Sequence, residues 1–283
     1  MKRITKPIVR EIRVRTALSR SRLPDIDYAF NPYIGCWHSC IYCYARLYTR
    51  YREVSENWGD IIYVKVNIVE RLREDVRRYK PGVVGVGTIT DAYQPLETVY
   101  RLTARSLPVF FTNGFHVSIQ TKNTLILRDL SLLIENRDKV DVGFTITTLS
   151  DNKARIIEPR APPSTARAEA LRRIAGEGIE TWIFYGPIIP GFNDDPITIH
   201  SLIELAAETR SKLLLDTLHV KKFMLQVDHP LYRYISRVGR MDWKSFFNKI
   251  ISMCREHGVT CIVGYAEPSP KKHGKKVTIE DFF

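Results

Sequence analysis

The sequence predicts an α/β protein, a partial (β/α)6 TIM-like barrel with an extension at each end. Three observations predict it. From about residue 28 onward, segments with the two-residue period of a strand alternate with segments of helical period. Roughly six such units follow one another over about 200 residues, which implies a parallel sheet with helical crossovers. Short polar segments follow several predicted strands, at 88–91, 121–122, 147–150 and 186–193, where such barrels carry their sites.

Residues 1–26 are basic with little periodicity and read as an extended leader or flap. Residues 28–34 read as a strand that ends in a cysteine-rich loop, and 41–51, rich in Tyr, Leu and Arg, as a helix. The pairs that follow are strand 61–66 with helix 69–79, strand 83–87 with helix 96–105, and strand 115–121 with helix 125–135. Strand 140–147 precedes a helix at 164–177, with Ser164 as its expected cap and Gly178 as its stop. A strand at 180–185 is interrupted by Pro187, Pro190 and Gly191, and helix 197–209 follows. A strand lies within 213–224, a helix at 242–257 and a last strand at 260–265. The tail, 267–283, is basic and carries prolines. The expected division is a basic N-terminal extension (1–26), a core barrel (27–224) and a C-terminal extension packed on the core (225–283).

The composition is that of an ordinary globular chain, and no stretch approaches the ~20 apolar residues of a membrane span. The basic N-terminus has no apolar core behind it, so no secretory signal is expected and the expected location is cytoplasmic. The net charge of +12 favours polyanion partners such as nucleic acid, although the basic residues are spread along the chain, one run being 271–276.

The five cysteines do not suit a disulfide framework in a chain this long. Cys36, Cys40 and Cys43 fall within eight residues, spaced C-x3-C-x2-C, and such crowding points to a metal or cluster site. Thiolates are the usual ligands of iron–sulfur clusters. Three ligands on one loop leave the fourth iron of a cubane open, and an open position separates a reactive centre from a structural one. Gly35 lets the backbone turn closely into such a cluster. A Cys3His zinc site completed by His38 is the alternative, although zinc sites more often pair C-x2-C units. Cys254 and Cys261 read as buried apolar residues.

The loop resembles that of the radical SAM superfamily, whose motif is C-x3-C-x-aromatic-C, with Tyr42 in the aromatic position. The wider string, Asn31-Pro32-Tyr33 before it and Tyr42-Cys43-Tyr44-Ala45-Arg46 at its end, is similar to the spore-photoproduct-lyase-like branch. The resemblance continues through 90–97, 121–123, 128–129, 158–162 and 187–191, and spans roughly residues 15–220. It implies a [4Fe–4S] cluster on Cys36, Cys40 and Cys43 and S-adenosylmethionine (SAM) as second cofactor. One electron, supplied by a donor such as a ferredoxin or flavodoxin, would cleave SAM to methionine and a 5′-deoxyadenosyl radical. That radical would take hydrogen from a substrate.

By motif matching, Tyr42 would pack near the adenine, Thr90 and Thr145 would be hydroxyl contacts, Lys122 would meet the methionine carboxylate, and Gly186 would lie beside the adenine. Glu158 and Arg160 read as a structural ion pair, and Asp91 as a helix cap or a cofactor-orienting carboxylate. The lyase itself carries a hydrogen-returning cysteine after its second barrel strand. Thr88 stands at that place here, and an O–H bond is too strong to serve as a thiol does, so a different substrate is expected. Two further readings stay open. In one the substrate is a nucleic acid whose target base must be extruded. In the other the protein is a non-catalytic, zinc- or cluster-stabilised nucleic-acid binder.

Overall fold

The computed structural model describes residues 6–264. Its strands are β1 (Ile8–Ile12), β2 (Leu18–Arg20), β3 (Tyr28–Phe30), β4 (Tyr33–Ile34), β5 (Ile61–Lys65), β6 (Val83–Val86), β7 (His116–Thr121), β8 (Val140–Thr145), β9 (Glu180–Ile188), β10 (Lys212–Thr217) and β11 (Cys261–Val263). Its helices are α1 (Arg52–Glu56), α2 (Ile68–Asp75), α3 (Glu97–Tyr100), α4 (Leu102–Thr112), α5 (Leu130–Glu135), α6 (Asp151–Ile157), α7 (Ser164–Gly176), α8 (Pro196–Thr209), α9 (Tyr232–Val238) and α10 (Trp243–Glu256).

The main sheet runs β2-β3-β6-β7-β8-β9-β10-β11. All its pairings are parallel except the antiparallel edge β2–β3. Parallel neighbours require crossovers, and the helices supply them, which gives the partial (β/α) barrel that the alternation predicts. Strand β7 shows how each layer is built. Val117 and Ile119 are fully buried in the core, while His116, Ser118 and Gln120 turn to the other face and stay partly open. Burying each such Val or Ile contributes about 2 kcal/mol. On that other face the Asp141 carboxylate pairs with His116 at 2.8 Å and accepts from Ser118 Oγ and Trp182 Nε1, each at 2.7 Å. A Cβ on Gly143 would stand 2.2 Å from the Trp182 ring, so only glycine lets that indole lie flat across β8.

A second, small sheet, β1-β5-β4, stands beside the barrel and carries the start of the cysteine loop. The chain from β1 to β2 has structure although its pattern is irregular, because side chains of other elements hold it. Asn67 exchanges hydrogen bonds with the backbone of Val14, and the Asp75 carboxylate accepts from the amides of Ala17 and Leu18. At the other end, β11 pairs with β10, so residues 261–263 extend the barrel's own sheet. The basic, proline-bearing tail expected at 267–283, with its 271–276 run, lies outside the described residues.

Several elements differ from their predicted form. The expected helix at 41–51 is a 3-10 turn, Tyr44–Leu47, followed by α1, because the cysteine turn and the Ile41 amide bond to Ile157 O hold its start away from helical geometry. The expected helix at 96–105 breaks at Arg101, whose φ of 51° ends α3 and starts α4. Ser164 begins α7 but caps nothing through its side chain. Strand β9 continues through Pro187 to Ile188, and α6 and α9 were not anticipated. Cys254 and Cys261 form a disulfide between α10 and β11, where two unbonded apolar residues were expected. The tight turn closed by the Val259 amide on Cys254 O brings their Cα atoms to 6.2 Å, within bridging range. Among the described residues no helix is long and apolar enough to cross a membrane.

Candidate functional site

Strand β4 ends at Ile34, and Gly35 turns the chain into the cysteines with a φ of 88°. A Cβ there would meet Ile61 O at 2.8 Å, so the turn needs glycine for both conformation and space. Cys36 and Cys40 are buried and Cys43 is half-buried; all three thiols are free. The turn is closed by the Ser39 amide on Cys36 O at 3.2 Å and the Cys43 amide on Cys40 O at 3.1 Å.

The segment after β6 clamps this loop. Thr90 Oγ1 donates to Gly35 O at 2.6 Å, and Gln94 Nε2 donates to Thr90 Oγ1 at 3.1 Å. Gln94 Oε1 accepts from the Trp37 amide at 2.9 Å. Asp91 is the centre of a second anchor. It accepts from Thr121 Oγ1, from the amides of Tyr93 and Lys122, and lies 3.2 Å from His38 Nδ1. Burial alone would raise its pKa, but His38 and these donors outweigh that and hold it at about 2. Asp91 is therefore an ionised bracket between the cysteine loop and the end of β7.

A third anchor comes from the far side. Tyr42 Oη donates to Glu158 Oε1, and Arg167 Nη1 donates to Glu158 Oε2. Arg167 also donates to Thr145 O at 3.0 Å and to Pro162 O at 2.8 Å. Glu158 and Arg167 are both buried, and burial opposes the charged form of each. Their mutual attraction nonetheless depresses the Glu158 pKa and raises that of Arg167. The expected Glu158–Arg160 pair is thus not formed; Arg160 reaches Gly59 O and Asp60 instead. Arg167, Leu171 and Ile174 share one stripe of α7, so an arginine on an apolar face was the signal that could have found it. Gln94 and Asn123, the latter 3.3 Å from His38 Nε2, are anchors that no role implied by the motif covers.

Tyr42, Thr90, Lys122 and Thr145 are all bound into these anchors. Lys122 Nζ lies 5.7 Å from the centre of the Tyr42 ring, within cation–π reach. Burial opposes its charge, but Cys40, once it is a thiolate, and the Glu158 carboxylate push its pKa up. The Thr145 side chain is buried and accepts from Gln120 Nε2 at 3.1 Å. Gly186 lies in β9, where a Cβ would stand 2.5 Å from the Phe184 ring. Thr88 Oγ1 accepts from Asn31 Nδ2 at 3.0 Å, and Tyr44 Oη donates to Thr88 O at 3.0 Å.

The donor set fits a cluster better than a single ion. Burial raises the pKa of all three thiols, that of Cys40 to about 12, so the loop holds them neutral until a metal group draws off their protons. His38 is fully buried between Asp91 and Asn123, which takes it out of a Cys3His set. Among the described residues no three His, Cys, Asp or Glu side chains converge as one ion requires. A cubane spreads its three thiolates over three irons and needs no such convergence.

Comparison with known proteins bears on this geometry. The sequence model of the Radical SAM superfamily matches residues 30–203. An uncharacterized protein of Methanocaldococcus jannaschii, MJ0683, is 31% identical over 184 residues, which are 65% of this chain and 69% of that one. ORF301 of Acidianus two-tailed virus, also uncharacterized, is 34% identical over 173 residues, 58% of this chain and 56% of its own. Among solved structures, spore photoproduct lyase complexed with dinucleoside spore photoproduct superposes with a TM-score of 0.63 at 16% identity, covering 90% of this chain and 81% of the lyase. A radical SAM methyltransferase from Sphaerobacter thermophilus gives a TM-score of 0.54 at 17% identity, covering 87% and 67%. At these identities the two structures speak for the shared fold.

Proposed function

Since this chain belongs to the radical SAM superfamily, whose members use a [4Fe–4S] cluster and SAM, we propose that Cys36, Cys40 and Cys43 hold that cluster and that the barrel presents a substrate other than spore photoproduct to it. The observation that carries the reading is the loop of three free thiols, anchored by Thr90–Gln94, by Asp91 and by Tyr42–Glu158–Arg167. When bound, the cluster supplies the electron that cleaves SAM and so makes the radical that abstracts hydrogen.

This chain's own residues then bind, orient and shield. Lys122 offers the methionine carboxylate a point charge in a site shielded from water. Tyr42, fixed through Glu158, gives the adenine a ring that cannot swing away. Thr90 has its proton engaged on Gly35 O, so toward SAM it can act only through a remaining lone pair or by holding the loop. Thr145 instead accepts from Gln120, which fixes its hydroxyl and leaves its own proton to donate, and Gly186 leaves room where a side chain would intrude. Thr88 cannot return a hydrogen atom as a thiol does, which supports a substrate other than spore photoproduct. The net charge of +12 supports nucleic acid as a substrate class. A ferredoxin- or flavodoxin-like donor would supply the electron.

Metal and sulfide analysis after anaerobic reconstitution tests the ligand assignment. Wild type should bind about four irons and four sulfides, and Cys40→Ser should lose most of both. Zinc without sulfide in the wild-type protein would overturn the assignment.

A further inference from the structure

Beside the cysteine loop lies a cavity of about 770 Å³, a size typical of small-molecule sites. The small sheet gives it Ile12, Ile34 and Lys65, with Ile12 directly opposite Lys65 in the register. The chain leaving β1 adds Arg13 and Arg15, and the segment after the cysteines adds Tyr48, Arg50 and Tyr51. Gly35, next to Cys36, and Ile89, next to Thr90, close the side toward the loop. None of Tyr42, Thr90, Lys122, Thr145 or Gly186 lines it, so it is separate from the residues assigned to SAM.

Its charge is one-sided. Four cations line it and no Asp or Glu does. Arg13 reaches Glu70 at 3.6 Å with both side chains largely exposed. Arg15, Arg50 and Lys65 form no ion pair among the described residues. Lys65 is half-buried, and its burial together with the nearby Arg50 charge pushes its pKa down to about 8. A desolvated ammonium beside a guanidinium is unfavourable without a counter-ion, and a bound anion removes that cost. The Arg50 guanidinium also lies 5.5 Å from the centre of the Tyr51 ring, so charge and an aromatic surface occur together.

We propose that this cavity binds a phosphate ester, and that it seats the anionic part of the substrate whose reacting carbon faces the cysteine loop. The second half of the proposal rests on the radical SAM reading above; the binding itself does not. A phosphoryl group has enough acceptor oxygens to meet guanidinium forks and an ammonium together, which one carboxylate does not. Tyr48 and Tyr51 offer rings on which an attached base can stack. A free nucleotide or sugar phosphate and a phosphodiester strand share this chemistry.

Calorimetry on the full-length, reconstituted protein at low salt separates these cases. The probes are ribose 5-phosphate, uridine, uridine 5′-monophosphate and a single-stranded oligouridylate. At least one phosphate probe should bind while uridine does not. Its affinity should fall about tenfold in Lys65→Met and in Arg50→Gln. It should hold in Lys65→Arg and in Arg77→Gln, a control exposed outside the cavity. Binding of the small phosphates assigns a free metabolite; binding of the oligomer alone, with steep salt dependence, assigns a strand. No phosphate binding below about 1 mM, or equal affinity in a folded Lys65→Met/Arg50→Gln variant, would overturn the proposal. The binding is read without SAM. Phosphate binding by a wild-type protein that makes no 5′-deoxyadenosine would therefore fault the radical reading and leave the site standing.

Discussion

Glu158 accepts from Tyr42 on the cysteine loop and from Arg167 on α7, and so joins the two ends of the site. Both charges are buried, and a buried pair gains little over well-packed apolar residues, yet breaking it leaves an uncompensated charge. Glu158→Gln should therefore destabilise the protein by about 3 kcal/mol or more, read from urea unfolding. A loss under about 1 kcal/mol would mean that the pair is solvated and does not anchor the loop. The sequence showed the cysteines plainly, because their spacing is a chemical requirement written in neighbouring residues. It did not show this pair, because Glu158 and Arg167 stand on separate helical segments and meet only when the chain folds. Lys122 and Asp91 fall between these extremes: Lys122 directly follows β7 and Asp91 lies in the polar segment after β6, which marks the positions, but only the fold reveals that Asp91 holds the Lys122 amide.

Helix α8 shows what local sequence can specify by itself. Asp195 caps it by accepting from the Thr198 amide at 3.0 Å and also pairs with Lys153 at 2.8 Å. Pro196 follows at the first helical position, where its missing N–H costs nothing. Asp195→Ala should cost about 1 kcal/mol. Burial alone would raise the Asp195 pKa, but Lys153 and the Thr198 donors outweigh it and hold the value at about 2. Its contribution is thus fully present above about pH 4 and is lost as pH falls toward 2. Thermal unfolding across that window should show a shallower decline for Asp195→Ala than for wild type, and equal slopes would contradict the linkage. Elements of this kind, with caps and a clear period, were legible. Strands β1 and β2 were not, since β1 pairs with the distant β5, β2 with β3, and the connection between them is held by Asn67 and Asp75. The helix expected at 41–51 failed for a related reason: anchored cysteines override a favourable local composition.

At the scale of the whole molecule, the parallel sheet sets the cysteine loop, the end of β7 and the start of α7 around one point, and the small sheet places a cationic cavity beside it. The alternation of strands and helices made the barrel readable; the pairing of β1, β5 and β4 into a separate sheet left no periodic trace. Part of the net charge of +12 lines one cavity without carboxylates, which composition alone does not reveal. A site that cleaves SAM reductively must release 5′-deoxyadenosine. The direct measurement is mass spectrometry for 5′-deoxyadenosine after the reconstituted protein is reduced without oxygen and given SAM. Wild type should yield 5′-deoxyadenosine and the Cys36→Ala/Cys40→Ala/Cys43→Ala variant none. No product from wild type with an intact, reduced cluster, or equal product from the triple variant, would contradict SAM cleavage at this site.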